Sequence, residues 1–169
     1  KHSNDVLIFN FGAHYNMNVQ GVTKLYYHSM KWLFGYLSKF ALDNLIIYRE
    51  YSPAHFGGDG VYKKKHTKDC EELPHGFESI ENTLAYEALE SCGKNCSAVR
   101  VLPIHDMMIP LVDFHLGSGD CRHWCQPGPI LEWVNLLILL IQNSNIDLFD
   151  PKGIGKVTHA FRWKESNLR

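Results

Sequence analysis

Apolar residues in this chain form short continuous runs, separated by segments of helical periodicity. The run Val6–Phe9 is followed by Asn10 and Gly12, a pattern typical of a buried strand over residues 5–10. Two further apolar runs of strand length lie at residues 44–48 and 98–104. The pattern therefore predicts three strands.

Between and after these runs, apolar residues recur every three or four positions. Residues 78–91 predict one helix, and residues 130–142, which follow Pro129, predict another. The longest segment, residues 19–42, predicts a helix that packs one face on a sheet, the face being formed by Val22, Leu25, Tyr26, Ser29, Leu33, Tyr36, Leu37 and Phe40. The alternation of strands and helices predicts an α/β fold, with a parallel sheet covered on both faces.

Each predicted strand is followed by a polar loop. In parallel α/β sheets, ligands bind beyond the carboxyl ends of the strands, where this chain places residues 10–14, 49–56 and 105–106. Contact with water alone would also favour polar residues there. Residues 52–74, which contain Pro, Gly and Lys, are predicted to form a long irregular loop.

The composition is that of one globular domain. Of the 169 residues, 45% are hydrophobic and 21% are charged, which provides enough apolar surface for a core. The formal net charge of −1 argues against a nucleic-acid partner.

No apolar stretch is long enough to span a membrane. The longest, residues 130–141, is interrupted by Glu132 and Asn135 and falls short of the roughly 20 residues that a bilayer requires. Because the sequence begins at Lys1 without an initiator Met, we expect it to be part of a longer protein, in which an upstream membrane anchor stays an open alternative. The polar residues 151–169 are predicted to be a peripheral tail.

The most informative residues are Asp120 and His123, three positions apart. A carboxylate that orients an imidazole supplies two of the three groups of a Ser-His-Asp site, in which the imidazole takes the proton of a serine hydroxyl. The third group is missing, because no serine of the sequence stands out as the nucleophile.

The five cysteines allow two interpretations. Their odd number fits a disulfide framework with one partner outside the sequence. Alternatively, Cys92 and Cys96, with Cys121 and Cys125, have the spacing of a disulfide-free zinc-ribbon-type binding module. Zinc analysis and titration of free thiols separate the two.

Three segments carry a family resemblance. They are residues 5–14 (DVLIFNFGAH), residues 48–58 (YREYSPAHFGG) and residues 120–128 (DCRHWCQPG), the last followed by WVNLL at 133–137. Together and in this order they resemble the trichome birefringence-like proteins, the PC-esterase branch of the SGNH/GDSL hydrolase superfamily. The resemblance implies an SGNH-hydrolase-like three-layer sandwich, incomplete at its N-terminus, with residues 1–150 as the C-terminal portion of the domain and 151–169 as the tail.

The resemblance also assigns roles to residues. It implies Asp120 and His123 as the catalytic acid and base, and it implies Asn10 or Gly12 as part of the oxyanion environment. The family's nucleophile lies in a Gly-Asp-Ser motif near the start of the domain. That motif does not occur in these residues, so we expect the serine upstream of Lys1. Further candidates for the substrate site, or for its architecture, are His14, Arg49, His55 and Trp124.

For the cysteines, the resemblance implies a bond between Cys70 and Cys121, and a bond from Cys125 to a cysteine upstream of Lys1. Cys92 and Cys96 have no counterpart in the family pattern. They are expected to bond to each other, unless one of them pairs with Cys125. No metal ligands are implied.

The function implied by the resemblance is acetyl transfer on carbohydrate hydroxyls. The protein would be a polysaccharide or glycan O-acetyltransferase, or an acetylesterase with the same machinery, in the secretory pathway and specifically the Golgi. It would hold no bound cofactor and would use an acetyl donor, such as acetyl-CoA or an acetylated intermediate, as co-substrate. Without the serine, these 169 residues alone are expected to be inactive.

Overall fold

A computed structural model describes residues 5–42, 44–57, 60–61, 69–117 and 119–144. The strands and helices, in chain order, are β1 (Val6–Phe9), α1 (Val22–Leu37), β2 (Leu45–Arg49), α2 (Ile80–Cys92), β3 (Val99–Leu102), α3 (His105–Met108), β4 (His115–Gly117), β5 (Asp120–Trp124) and α4 (Ile130–Gln142). The predicted tail at 151–169 lies outside the described residues.

The three predicted strands form one parallel sheet in the order β1-β2-β3. The central strand, β2, is almost entirely buried, because it is paired on both sides and covered on both faces. A continuous apolar run is the sequence pattern that such a strand requires. The carboxyl ends of the three strands lie at one edge of the sheet, as the parallel arrangement dictates.

Helices cover both faces of this sheet. On one face, Tyr26, Met30 and Phe34 of α1 pack with Ile46 and Tyr48 of β2, together with alanines of α2. The other face carries α4, whose apolar side chains pack against a buried cluster formed by Leu45, Ile47, Leu102 and Ile104. The structure is thus a three-layer α/β arrangement, and the predicted fold class is confirmed.

The predicted face of α1 was partly wrong. The fully buried side chains are Tyr26, Met30 and Phe34, spaced four residues apart, whereas Leu25 and Tyr36 are 59% and 44% exposed. Apolar residues surround much of this helix, so their spacing alone does not identify the stripe that contacts the sheet.

Beyond the three predicted strands, the structure forms a β-hairpin from β4 and β5. Gly117 pairs with Asp120 across the hairpin, and Gly117 and Gly119 both adopt positive φ. A tight hairpin turn needs such backbone angles, and glycine adopts them without steric cost. Asp120 is therefore the first residue of a strand.

In the part of the chain that the structure describes, no helix combines the length and the hydropathy needed to cross a bilayer.

Burial of β2 predicts a large difference between two paired isoleucines. Ile47 is fully buried, and its register partner Ile8 is 41% exposed. We expect Ile47→Ala to lower the free energy of unfolding by about 2–5 kcal/mol, because it leaves a cavity in the core. The matched control Ile8→Ala should cost less than about 1 kcal/mol. Urea denaturation followed by circular dichroism measures both, and equal losses would contradict the assigned core.

Candidate active site

Asp120 and His123 form an acid–base pair at the start of β5. The His123 Nδ1 atom lies 2.8 Å from Oδ2 of Asp120 and 3.0 Å from Oδ1. The same Oδ1 accepts hydrogen bonds from the main-chain N–H groups of Arg122 and His123, at 3.2 and 3.0 Å. The carboxylate thus fixes both the imidazole and the backbone that carries it.

These hydrogen bonds decide the charge of Asp120. Partial burial raises the pKa of its carboxyl, but the N–H donors of His123 and Arg122 outweigh burial and hold the pKa below its usual range. Asp120 is therefore ionised at neutral pH and accepts the Nδ1 proton of His123. That bond fixes the ring tautomer with the lone pair on Nε2.

The His123 ring is open to solvent. Its side chain is 71% exposed, whereas the Asp120 side chain is 36% exposed. With Nδ1 bound to the carboxylate, Nε2 is free to take a proton from a hydroxyl group. Among the described residues, no serine hydroxyl is hydrogen-bonded to this imidazole.

Two kinds of bond fasten β5 to the loop that follows β2. A disulfide joins Cys121 to Cys70, and the main-chain N–H of His55 donates to the Cys121 carbonyl at 2.8 Å. A further main-chain bond, from Cys125 to the Phe114 carbonyl, closes the base of the hairpin. The acid–base pair therefore stands on a corner that is tied to the main sheet.

Two histidines and a tryptophan are buried beneath this corner. His55 Nδ1 lies 2.7 Å from His115 Nε2, and the His115 ring stacks on the indole of Trp124, with centroids 4.0 Å apart. The indole N–H donates to Ser52 Oγ at 3.3 Å. Burial lowers the pKa of His55 and lowers the pKa of His115 to about 4, so both rings are neutral at neutral pH.

Arg122, which lies between Asp120 and His123 in the sequence, lines a groove. Its guanidinium donates to the Tyr51 hydroxyl and lies over the rings of Tyr51 and Phe56. The groove has a volume of about 560 Å³ and is lined by the loops that follow β1 and β2 and by the start of α2. Its walls include His14, Tyr51 and Glu81, so both aromatic and hydrogen-bonding groups face it.

A buried carboxylate joins the ends of β2 and β3. Glu50 is 7% exposed and accepts the main-chain N–H of His105 at 2.7 Å, as well as the Tyr86 hydroxyl. Burial, and then the bond to Glu50, raise the pKa of Tyr86, which keeps this hydroxyl a neutral donor. The cluster holds the strand ends in place next to the site.

The two predicted oxyanion residues lie on the loop after β1. The Asn10 amide donates to the Arg49 carbonyl at 2.9 Å, which is a structural bond between β1 and β2. Gly12 has φ +131°, and a Cβ there would come within 3.1 Å of Glu81 Cγ, so only glycine fits without strain. The oxyanion role of Asn10 or Gly12 stays a prediction.

Of the four other candidates, only His14 is exposed, and it lines the groove. His55 is fully buried and Trp124 is 7% exposed, so both rings lie inside the protein, and their contribution to the substrate site or to its architecture stays a prediction. The Arg49 guanidinium lies 4.8 Å from the ring centroid of Trp133, on α4. Packing against the apolar face of a helix favours the structural interpretation of Arg49 over contact with an anionic sugar.

The cysteines contradict the zinc-ribbon alternative. Cys70 is bonded to Cys121, and Cys92 is bonded to Cys96, so three of the four proposed zinc ligands carry no thiolate. Cys125 is the free cysteine of the described residues. Within the same part of the chain, no group of three or more His, Cys, Asp or Glu side chains is arranged to hold a metal ion.

Sequence reasoning missed His115, Arg122 and Tyr51. One signal was available: Gly117 and Gly119 separate two short segments, which is typical of a hairpin turn. Recognition of that turn would have brought His115 opposite Trp124. No pattern in the sequence pairs His115 with His55, because the two are 60 residues apart.

The sequence of this chain is similar to those of two proteins from plants. No protein-family model matches the chain. It is similar to Protein trichome birefringence-like 26 of Arabidopsis thaliana, with 26% identity over 184 residues that cover 90% of this chain and 41% of the relative. It is also similar to Xyloglucan O-acetyltransferase 1 of Populus trichocarpa, with 25% identity over 118 residues that cover 54% of this chain and 28% of the relative.

The chain thus spans less than half the length of these two curated relatives. The similarity supports a relationship between this chain and the trichome birefringence-like proteins.

The two disulfides should differ in their contribution to stability. Cys70 and Cys121 are 51 residues apart, and Cys92 and Cys96 are 4 apart. From loop closure in the unfolded chain, we expect the double variant Cys70→Ser/Cys121→Ser to lose about 4 kcal/mol and Cys92→Ser/Cys96→Ser about 2 kcal/mol. Chemical denaturation of the two variants tests the order, and a larger loss for the short loop would refute it.

Proposed function

We propose that Asp120 and His123 are the acid and the base of an O-acyltransferase site, which moves acetyl groups onto or off carbohydrate hydroxyls. The observation that supports this most directly is the Asp120–His123 pair, with a 2.8 Å contact between Oδ2 and Nδ1 and an exposed ring. The relative from Populus trichocarpa, whose name specifies xyloglucan O-acetyltransferase, supports the same reaction class.

The nucleophile in this proposal is a serine from a part of the protein that precedes Lys1. Its Oγ attacks the carbonyl carbon of the acetyl donor while His123 Nε2 takes the hydroxyl proton. His123 returns that proton to the leaving group, and an acetyl-serine ester remains. Asp120 stays ionised throughout and stabilises the imidazolium.

The second half of the reaction regenerates the serine. A sugar hydroxyl gives its proton to His123 and attacks the ester, so that the acetyl group passes to the sugar and the serine recovers its proton. In an acetylesterase, water takes the place of the sugar hydroxyl. The donor is acetyl-CoA or an acetylated intermediate, and no resident cofactor takes part in these steps.

The groove beside Arg122 is the proposed binding surface for the carbohydrate. Its aromatic rings and polar groups suit a sugar, which presents C–H faces and hydroxyls, and its place beyond the strand ends is where α/β sheets bind ligands.

The two disulfides support a location in the secretory pathway, because such bonds persist in oxidising compartments. Within that pathway we propose the Golgi.

Replacement of the base tests the chemistry. In the full-length protein, with p-nitrophenyl acetate as donor and xyloglucan oligosaccharides as acceptor, we expect His123→Ala to lower kcat about 10⁴-fold or more, because the serine loses its proton acceptor. The matched control is His28→Ala, an exposed histidine on α1, which should leave kcat unchanged. Near-normal turnover by the His123 variant would refute the proposal.

The variant His14→Ala tests whether the groove binds the carbohydrate acceptor. His14 lines the groove and is exposed, so loss of one hydrogen bond to the sugar should raise the KM for the oligosaccharide about 2- to 10-fold. The value of kcat should stay within a factor of about two, because the ring does not touch the reacting atoms. Steady-state kinetics with varied acceptor measure both. An unchanged KM, with His28→Ala again as control, would place the acceptor elsewhere.

A further inference from the structure

His55 and His115 form the centre of a chain of three polar contacts. The Ile109 carbonyl lies 2.9 Å from His55 Nε2, His55 Nδ1 lies 2.7 Å from His115 Nε2, and His115 Nδ1 lies 3.1 Å from the His123 carbonyl. The chain therefore runs from the segment after α3, through two buried rings, to the main chain of the residue that carries the base.

The three contacts need three protons. Carbonyl oxygens only accept hydrogen bonds, so each end of the chain needs a proton on the adjacent ring nitrogen, and the central contact needs one between the rings. Two neutral imidazoles hold only two protons. A neutral pair therefore leaves one contact without a hydrogen bond, and a pair with one extra proton fills all three.

Some groups around the pair oppose uptake of that extra proton, and others favour it. Burial opposes it most, since His55 is 0% and His115 is 6% exposed, and the imidazole of His123 opposes it when charged. The Asp120 carboxylate and the Trp124 ring, stacked on His115, favour it.

Among the described residues, two further groups contact the main chain of the pair, and two neighbouring cysteines are bonded. The Cys125 thiol contacts the carbonyl of His115, the main chain of Glu71 contacts the carbonyl of His55, and the bonded Cys70 and Cys121 do not titrate.

We propose that His55 and His115 are positioning residues for His123, and that they exchange protons as one unit which takes up a single proton in acid and then closes the bond to the His123 carbonyl. Above the pH of that uptake, the two neutral rings can keep their central hydrogen bond in two arrangements, and only one of these places a proton on His115 Nδ1. The link to catalysis rests on the proposed function, whereas the shared titration does not.

The titration is tested by nitrogen and carbon NMR on the full-length protein labelled with ¹³C,¹⁵N-histidine, from pH 8 towards acid. Because burial lowers the pKa of both rings below the ordinary 6.5, we expect the His55 and His115 nitrogens to shift together below that pH. They should take up one proton between them, and the main-chain carbonyl resonance of His123 should move with them. In the His115→Gln variant, His55 should titrate without this coupled shift.

Two separate titrations, each of a full proton, would overturn the shared unit. So would an absence of proton uptake before the protein unfolds in acid. Neither result depends on acetyl transfer, so the shared titration fails or stands independently of the proposed function.

Activity tests the positioning role. His115→Phe keeps a ring against Trp124 but has no donor for the His123 carbonyl, and we expect about a tenfold loss of kcat with an unchanged acceptor KM. His115→Gln retains an N–H donor and should recover part of that loss, and His28→Gln is the control. Equal kcat for the Phe variant and the parent, in a protein that His123→Ala inactivates, would overturn the positioning role. If His115→Phe fails to fold, the same comparison is made with His115→Met, which also has no donor for the His123 carbonyl.

Discussion

The attachment of β5 to the loop after β2 is the constraint on which the candidate site depends. A hairpin of two short strands has little stability by itself in water, and here the Cys70–Cys121 disulfide and the bond from the His55 N–H to the Cys121 carbonyl tie it to the main sheet. The residues on either side of Cys121 are held near this attachment point. Asp120 precedes it, and Arg122 and His123 follow it, so one covalent link places the acid–base pair and one wall of the groove together.

The same attachment explains why two histidines are buried beneath the exposed His123. The main-chain N–H of His55 binds the Cys121 carbonyl of β5, and His115 faces Trp124 across the hairpin. Imidazoles buried in a protein are normally satisfied by hydrogen bonds, and here the acceptors are main-chain carbonyls of the two segments that must be held together. A pair of apolar side chains would fill the same space, but it would leave the His123 carbonyl without this donor.

How much of this was predictable depends on distance along the chain. The parallel sheet and its helices follow from apolar periodicity, which is a local property. The contact between Asp120 and His123 was predictable for the same reason, because the two residues are only three positions apart in the sequence. The hairpin was missed, since β4 has only three residues and its strand pattern is weak. The His55–His115 contact joins residues 60 apart, and no sequence pattern encodes it.

The role proposed for His123 poses a conflict between access and rigidity. In the proposed reaction its ring must reach a hydroxyl and a substrate, and because the ring is exposed, packing cannot hold it. The structure resolves the conflict by fixing the atoms around the ring. The Asp120 carboxylate binds both Nδ1 and the His123 N–H, and the His115 ring lies against the His123 carbonyl. The side chain itself is 71% exposed, which leaves Nε2 accessible for the proposed proton transfer.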